Sequence, residues 1–218
     1  MKKWMFFLVL VVLFLFFTLK QTPKDNKPIV DVYPWQIDVL KDGRSRVFGI
    51  VLNETTLMEV DAKLNILPEM ALYESKKSLA LEAYYKNVSL GGLIGSFIFT
   101  IDMPVKLLKE IKKESYKQER TENNEAKYKL DKLASQKAKA YQVKNLIYIP
   151  RVQLDEETIV KRFGKPTYKI KLKTKEMGWH YLYPEKGLDL IYKKEGKEVL
   201  QYIEPKKFNL LLKPLQQN

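Results

Sequence analysis

The stretch Leu154–Pro166, LDEETIVKRFGKP, concentrates nearly every helix-boundary signal a chain can carry. Asp155 is a capping residue, and Glu156 and Glu157 sit at the positive end of the helix that follows. Lys161 and Arg162 sit at its negative end, Gly164 supplies the C-terminal turn, and Pro166 blocks continuation. Leu154 and Ile159 are spaced for a hydrophobic staple across the cap. Downstream, the runs Thr167–Lys173, Gly178–Tyr183, Leu188–Lys193 and Glu198–Ile203 read as strands, with turn signals at Pro184–Gly187 and Glu195-Gly196. One short helix is therefore expected to lead into an antiparallel meander.

A shift of 99 residues brings an upstream segment onto this one. Thr56 falls on Asp155, Val60 on Ile159, Leu64 on Phe163 and Asn65 on Gly164. Thr56 and Glu59 have capping-box spacing, and Asn65 and Pro68 stop the helix Thr56–Leu64. Strand-like runs follow at Glu69–Tyr73, Ser78–Tyr85 and Ser96–Met103. Two modules of one kind account for this economically, with chance similarity as the competing reading. Ahead of the first module, Trp35–Leu40 and Arg44–Leu52 flank Asp42-Gly43, a strong hairpin signal. The glycine-rich Leu90–Gly95 lacks the Gly-Lys-Ser/Thr ending of a phosphate loop and precedes a strand-like run, which argues against a phosphate role.

Between the two modules lies a basic stretch. Pro104 opens a helix with Leu107, Leu108 and Ile111 as a narrow apolar stripe; Gln118–Glu125 is polar on every face, and helical spacing resumes from Leu130 to Tyr141. It reads as a helical connector or as a partly disordered loop. The net charge of +13 is uneven: residues 1–30 carry +4, 31–104 carry −3, and 105–145 and 146–218 carry +6 each. A basic second half can attract anionic lipid, acidic glycan or nucleic acid, or can simply keep a strand-rich protein in solution.

The C-terminal pattern is similar to a known one. Asp155–Pro166 followed by an aromatic strand resembles the helix-to-strand signature of SmpA/OmlA (BamE-like) envelope lipoprotein domains over about 50 residues, and the fuller pattern adds Trp179-His180-Tyr181-Leu182-Tyr183-Pro184 and Gly196-Lys197-Glu198-Val199-Leu200-Gln201-Tyr202. It also resembles membrane-anchored proteins of gammaproteobacteria. The resemblance implies a small α+β module used for protein contacts in the envelope, without catalysis. The chain departs from that family in having no Cys to carry a lipid, so no functional residues are transferred.

In place of that lipid the chain opens with an apolar run, Trp4–Leu19, behind Lys2 and Lys3. It ends in Phe16-Phe17-Thr18-Leu19-Lys20, without the small residues a signal peptidase needs, so an uncleaved signal anchor is expected. Sixteen residues make a helix of roughly 24 Å, short of the bilayer core, but flanking lysines can snorkel. Lys20, Lys24 and Lys27 after the run nearly balance the leading lysines; the usual outcome for a leading anchor puts the remainder in the periplasm.

The expected fold class is α+β: an N-terminal transmembrane helix, then two short-helix-plus-antiparallel-meander modules joined by a charged helical connector. The expected divisions are 1–20 anchor, 21–30 linker, 31–104 first module, 105–145 connector, 146–210 second module and 211–218 tail. No enzymatic activity, cofactor or metal is expected: there is no Cys, one His, and no clustered Asp/Glu at ligand spacing. His180 would need an oriented partner to act as a base, and Asp189 is close if the meander pairs as read. Trp179, His180, Tyr181 and Tyr183 are the candidate docking face, with core packing as the alternative. The expected partners are the lipid bilayer through residues 4–19 and an envelope protein, with no nucleic acid. The expected role is that of an envelope interaction or assembly accessory anchored in the inner membrane, or else a tethered binder of anionic lipid or glycan.

Overall fold

The computed structural model describes residues 32–76, 78–121, 124–173 and 177–216. The expected anchor, the whole linker and the last two residues of the tail lie outside these. Three short strands come first: β1 (Ile37–Val39), β2 (Ser45–Val47) and β3 (Ile50–Val51). Helix α1 (Leu57–Leu64) leads into β4 (Glu69–Glu74), β5 (Leu79–Leu90) and β6 (Leu93–Ile101). Then follow α2 (Val105–Glu114), β7 (Tyr116–Arg120), β8 (Ala126–Lys129), α3 (Lys132–Ala138) and β9 (Val143–Pro150). Helix α4 (Glu156–Phe163) precedes β10 (Tyr168–Lys171), β11 (Gly178–Tyr183), β12 (Leu188–Lys193), β13 (Val199–Tyr202) and a final helix α5 (Asn209–Gln216).

The expected pair of modules is corrected. All strands from β4 to β13 join one antiparallel sheet in the order β10-β11-β12-β13-β9-β6-β5-β4-β8-β7, beside the small sheet β1-β2-β3. The described residues are thus mostly β structure with few helices. One cross-strand row makes the continuity concrete: Tyr181, Leu190, Leu200, Tyr148, Phe97 and Tyr85 are successive register partners across β11 to β5. Each is buried, so the core runs without a break through what was expected to be two domains. The shift of 99 still carries the starts of α1, β4 and β5 onto those of α4, β10 and β11. Both halves nevertheless feed the same sheet.

The charged connector is where the expectation departs most. Its polar segment is not a helix: β7 and β8 form a hairpin on the edge of the sheet. A charged sequence suits an edge strand, where it discourages further pairing. Strand β9, absent from the expected elements, begins in the connector and fills the central place between β13 and β6. Its residues Val143, Leu146, Tyr148 and Pro150 face the core. Pro150, which lacks an N–H, sits at the end of the strand. The segment from 209 onwards, expected largely as tail, is helical; Leu211, Leu212 and Leu215 pack with Phe208 against Leu182 on the other face.

Local chemistry explains the remaining elements. The Thr56 hydroxyl accepts from the Glu59 N–H, and the Glu59 carboxylate accepts from the Thr56 N–H, closing the capping box of α1. Asp155 caps α4 by accepting from Thr158 N–H at 2.6 Å. The run Arg44–Leu52 does not stay extended, because Phe48 (φ 54°) and Gly49 (φ 66°) both turn left-handed between β2 and β3. The turn drives the Phe48 ring into the inner face, with centroids 5.0 Å from Phe97 and Tyr148 and 6.2 Å from Tyr202. Gly95 leaves room for Tyr148: a Cβ there would lie 2.3 Å from the ring. Among the described residues no helix is long and apolar enough to cross a membrane; the apolar run Trp4–Leu19 lies outside them.

Candidate functional site

The four residues of the expected docking face part company along β11. Strand alternation puts Trp179, Tyr181 and Tyr183 on the inner side, and there α4 covers them. Tyr181 and Tyr183 are buried, the Tyr183 ring lies 6.4 Å from Phe163, and its hydroxyl donates to the Gly164 carbonyl at 3.0 Å. Burial pushes the Tyr183 hydroxyl well above its usual range. Trp179 is half-buried, with the Lys169 ammonium 4.8 Å from its ring. His180 points to the opposite face, where Nδ1 lies 2.9 and 3.0 Å from the two Asp189 oxygens. Asp189 is 2% exposed and the His180 side chain 12%. The partner expected for His180 is therefore in place, but the pair is enclosed. Among the described residues no group of three or more His, Cys, Asp and Glu side chains could hold a metal ion.

A different feature collects chemistry at the other end of the core. Pro34 and Trp35, Leu93 at the start of β6, Tyr148 and Pro150 at the end of β9, and Leu154 before α4 enclose a hollow of about 170 Å³. Its walls are almost wholly apolar. Each wall has a physical origin. The Tyr202 hydroxyl donates to the Pro34 carbonyl at 2.8 Å, fixing the incoming chain against β13. Tyr33 stacks on Trp35 at 5.0 Å with the rings 4° from parallel, and Trp35 meets Phe163 edge-on at 6.2 Å. The capped start of α4 puts Leu154 and Thr158 on one side, and a turn later Arg162 lies over the Trp35 ring at 4.8 Å. Val152 on the rim is 60% exposed although apolar.

Cations gather at this end. Pro150 is shared with a second, polar hollow lined by Arg151 and Lys197 as well as Asn87 and Ser96. Among the described residues no carboxylate lines either hollow. Asp155, Glu157 and Glu198 each adjoin a lining residue in sequence; one Asp155 oxygen accepts from the Thr158 N–H. Beneath, Glu198 is wholly buried, and neither carboxylate oxygen has a hydrogen-bond partner of good geometry. Burial pushes its carboxyl up, opposed by the N–H groups of Glu198 and Leu154. Tyr148 is pushed up to about 12, again by burial.

The outer face of the sheet is built differently. The row Tyr168, Leu182, Asp189, Gln201, Ile147, Ile98, Tyr84 crosses from β10 to β5. Leu182 packs with the α5 cluster, whereas Ile147, Ile98 and Tyr84 are only half-buried. Tyr84 and Ile98 themselves line a depression of about 470 Å³ together with Glu69, Tyr73, Glu82, Lys127 and Lys129. Burial, with help from the Glu125 charge, raises the Glu82 carboxyl.

No protein-family model, curated protein or solved structure matches this chain. The hollow around Trp35 was not among the expected sites. Trp35 read as the start of a strand, Arg162 as a helix-end charge and Leu93 as part of a glycine-rich turn. The signal that could have joined them was Trp35 itself, an aromatic residue only sixteen positions beyond the apolar run.

Proposed function

We propose that this chain is a membrane-anchored, non-enzymatic interaction or assembly accessory of the cell envelope, with its folded part in the periplasm. The observation that carries the reading is the outer row Ile147, Ile98 and Tyr84, three half-buried side chains in the middle of a sheet whose far end, β10 and β11, packs against α5. A half-covered sheet face of this kind gains by burying its remaining apolar surface against a second protein. The apolar run Trp4–Leu19, which lacks a cleavage site, supports the tether. Photo-crosslinking residues introduced at Ile98 and Ile147 in intact cells test it, with exposed Met58 on α1 as control. A discrete adduct with an envelope protein at both sheet positions and none at Met58 is expected; lone protein at every position contradicts the reading.

A second reading, a tethered binder of anionic lipid, is favoured by a separate observation: the apolar hollow at Trp35 with Arg162 over it and Arg151 and Lys197 nearby.

A further inference from the structure

We propose that the Trp35 hollow seats an acyl-chain segment of an anionic phospholipid from the bilayer that tethers the chain, while Arg162, Arg151 and Lys197 face its headgroup region. The inference rests on the anchored-chain reading above and gives its lipid-binding form a site and a ligand class.

The argument begins with reach. Residues 20–31 link the apolar run to the first described residue, and twelve residues extend at most about 40 Å. Trp35 follows directly and forms one wall of the hollow. A tether of that length holds the hollow at high effective concentration near lipid, so a weak affinity suffices.

Chemistry then selects the occupant. At roughly 30 Å³ per small group, 170 Å³ has room for about six methylene-sized units, which suits part of an acyl chain and not a whole ligand. The rim carries exposed Val152, and the β5–β6 turn beside it brings Leu93 and Ile94 to the same opening. Tyr33 and Trp35 are the aromatic residues that favour the headgroup level of a membrane. Among the described residues three cations and no carboxylate line the two adjoining hollows, which matches a negative surface. A protein partner inserting one apolar side chain would fill the same volume but would not require this arrangement of charge.

The test uses the full chain in vesicles of phosphatidylglycerol and phosphatidylcholine containing a trace of phospholipid with a diazirine on its acyl chain. After photolysis, mass spectrometry maps the adducts. Label is expected within residues 4–19 and also at Leu93, Ile94, Val152 or Leu154. Omitting phosphatidylglycerol, or introducing Arg151→Glu with Lys197→Glu, should lower label at the hollow at least threefold and leave label in 4–19 unchanged. Label in 4–19 alone overturns the proposal and leaves the anchor reading standing. Equal label at the hollow without phosphatidylglycerol overturns the headgroup pairing. Label in neither segment overturns the anchor reading and this inference with it.

Discussion

The Arg162 guanidinium lies 4.8 Å from the centre of the Trp35 ring, joining the last turn of α4 to the first residues after the linker. A cation near the protein surface over an aromatic ring contributes about 0.5–1 kcal/mol. Arg162→Ala should therefore destabilise the chain by about 1 kcal/mol and change the fluorescence of a single-tryptophan variant that retains Trp35. Chemical unfolding in detergent and emission spectra check both. An unchanged spectrum would show that Arg162 does not hold the ring.

Phe48 combines a positive φ of 54° with nearly complete burial. Phe48→Ala removes the ring packed on Phe97, Tyr148 and Tyr202, for a loss of about 3–5 kcal/mol. Left-handed backbone costs a non-glycine residue roughly 1–2 kcal/mol, so Phe48→Gly should be less damaging than Phe48→Ala. Denaturant midpoints of the two variants decide the order. The reverse order would mean that the turn between β2 and β3 is not left-handed at Phe48.

Caps on the two matching helices probe the corrected architecture. Thr56→Ala and Asp155→Ala should each lower the melting temperature by roughly 2–4 °C. Because β9 links both halves into one sheet, each variant should move a single transition seen by every probe. Two transitions, with each variant shifting only its own, would restore separate modules.

Glu198 supplies a pH test. Its carboxyl is raised above the ordinary 4.5 by burial, so the folded state holds its proton more tightly than the unfolded state does. The stability this contributes is complete below about pH 4.5 and is lost as pH rises through the folded value. Glu198→Gln should be more stable than the parent by about 1 kcal/mol near pH 8, with the gap closing toward pH 4. Thermal melts across that range check the sign. A gap that widens toward acid would mean that the carboxylate is stabilised in its charged form.

What could be read in the sequence was local. Asp155 and Thr56 announce their helices because a cap is a short-range bond between a side chain and an N–H three residues on. Gly178–Tyr183 and Leu188–Lys193 are strands with the expected limits, since their turn residues mark the ends. Strand β9 was illegible for the opposite reason. Its partners, β6 and β13, lie on either side of it in the chain and far off in sequence, and nothing local states which strands it will join. The surroundings of the candidate docking residues were equally non-local. Alternation correctly groups Trp179, Tyr181 and Tyr183 on one side, but only the packing of α4 decides that this side is the core. The hollow at Trp35 required four segments distant in sequence, so no single window contained it.

The central claim, a folded part tethered on the periplasmic side, is tested most directly by accessibility in intact cells. The chain has no Cys, so Met58→Cys on the exposed side of α1 gives one thiol without background. A maleimide that does not cross the inner membrane should label it once the outer membrane is permeabilised, on a full-length chain that sediments with membranes. Labelling only after the inner membrane is broken, or on a chain released from the membrane, would contradict the account.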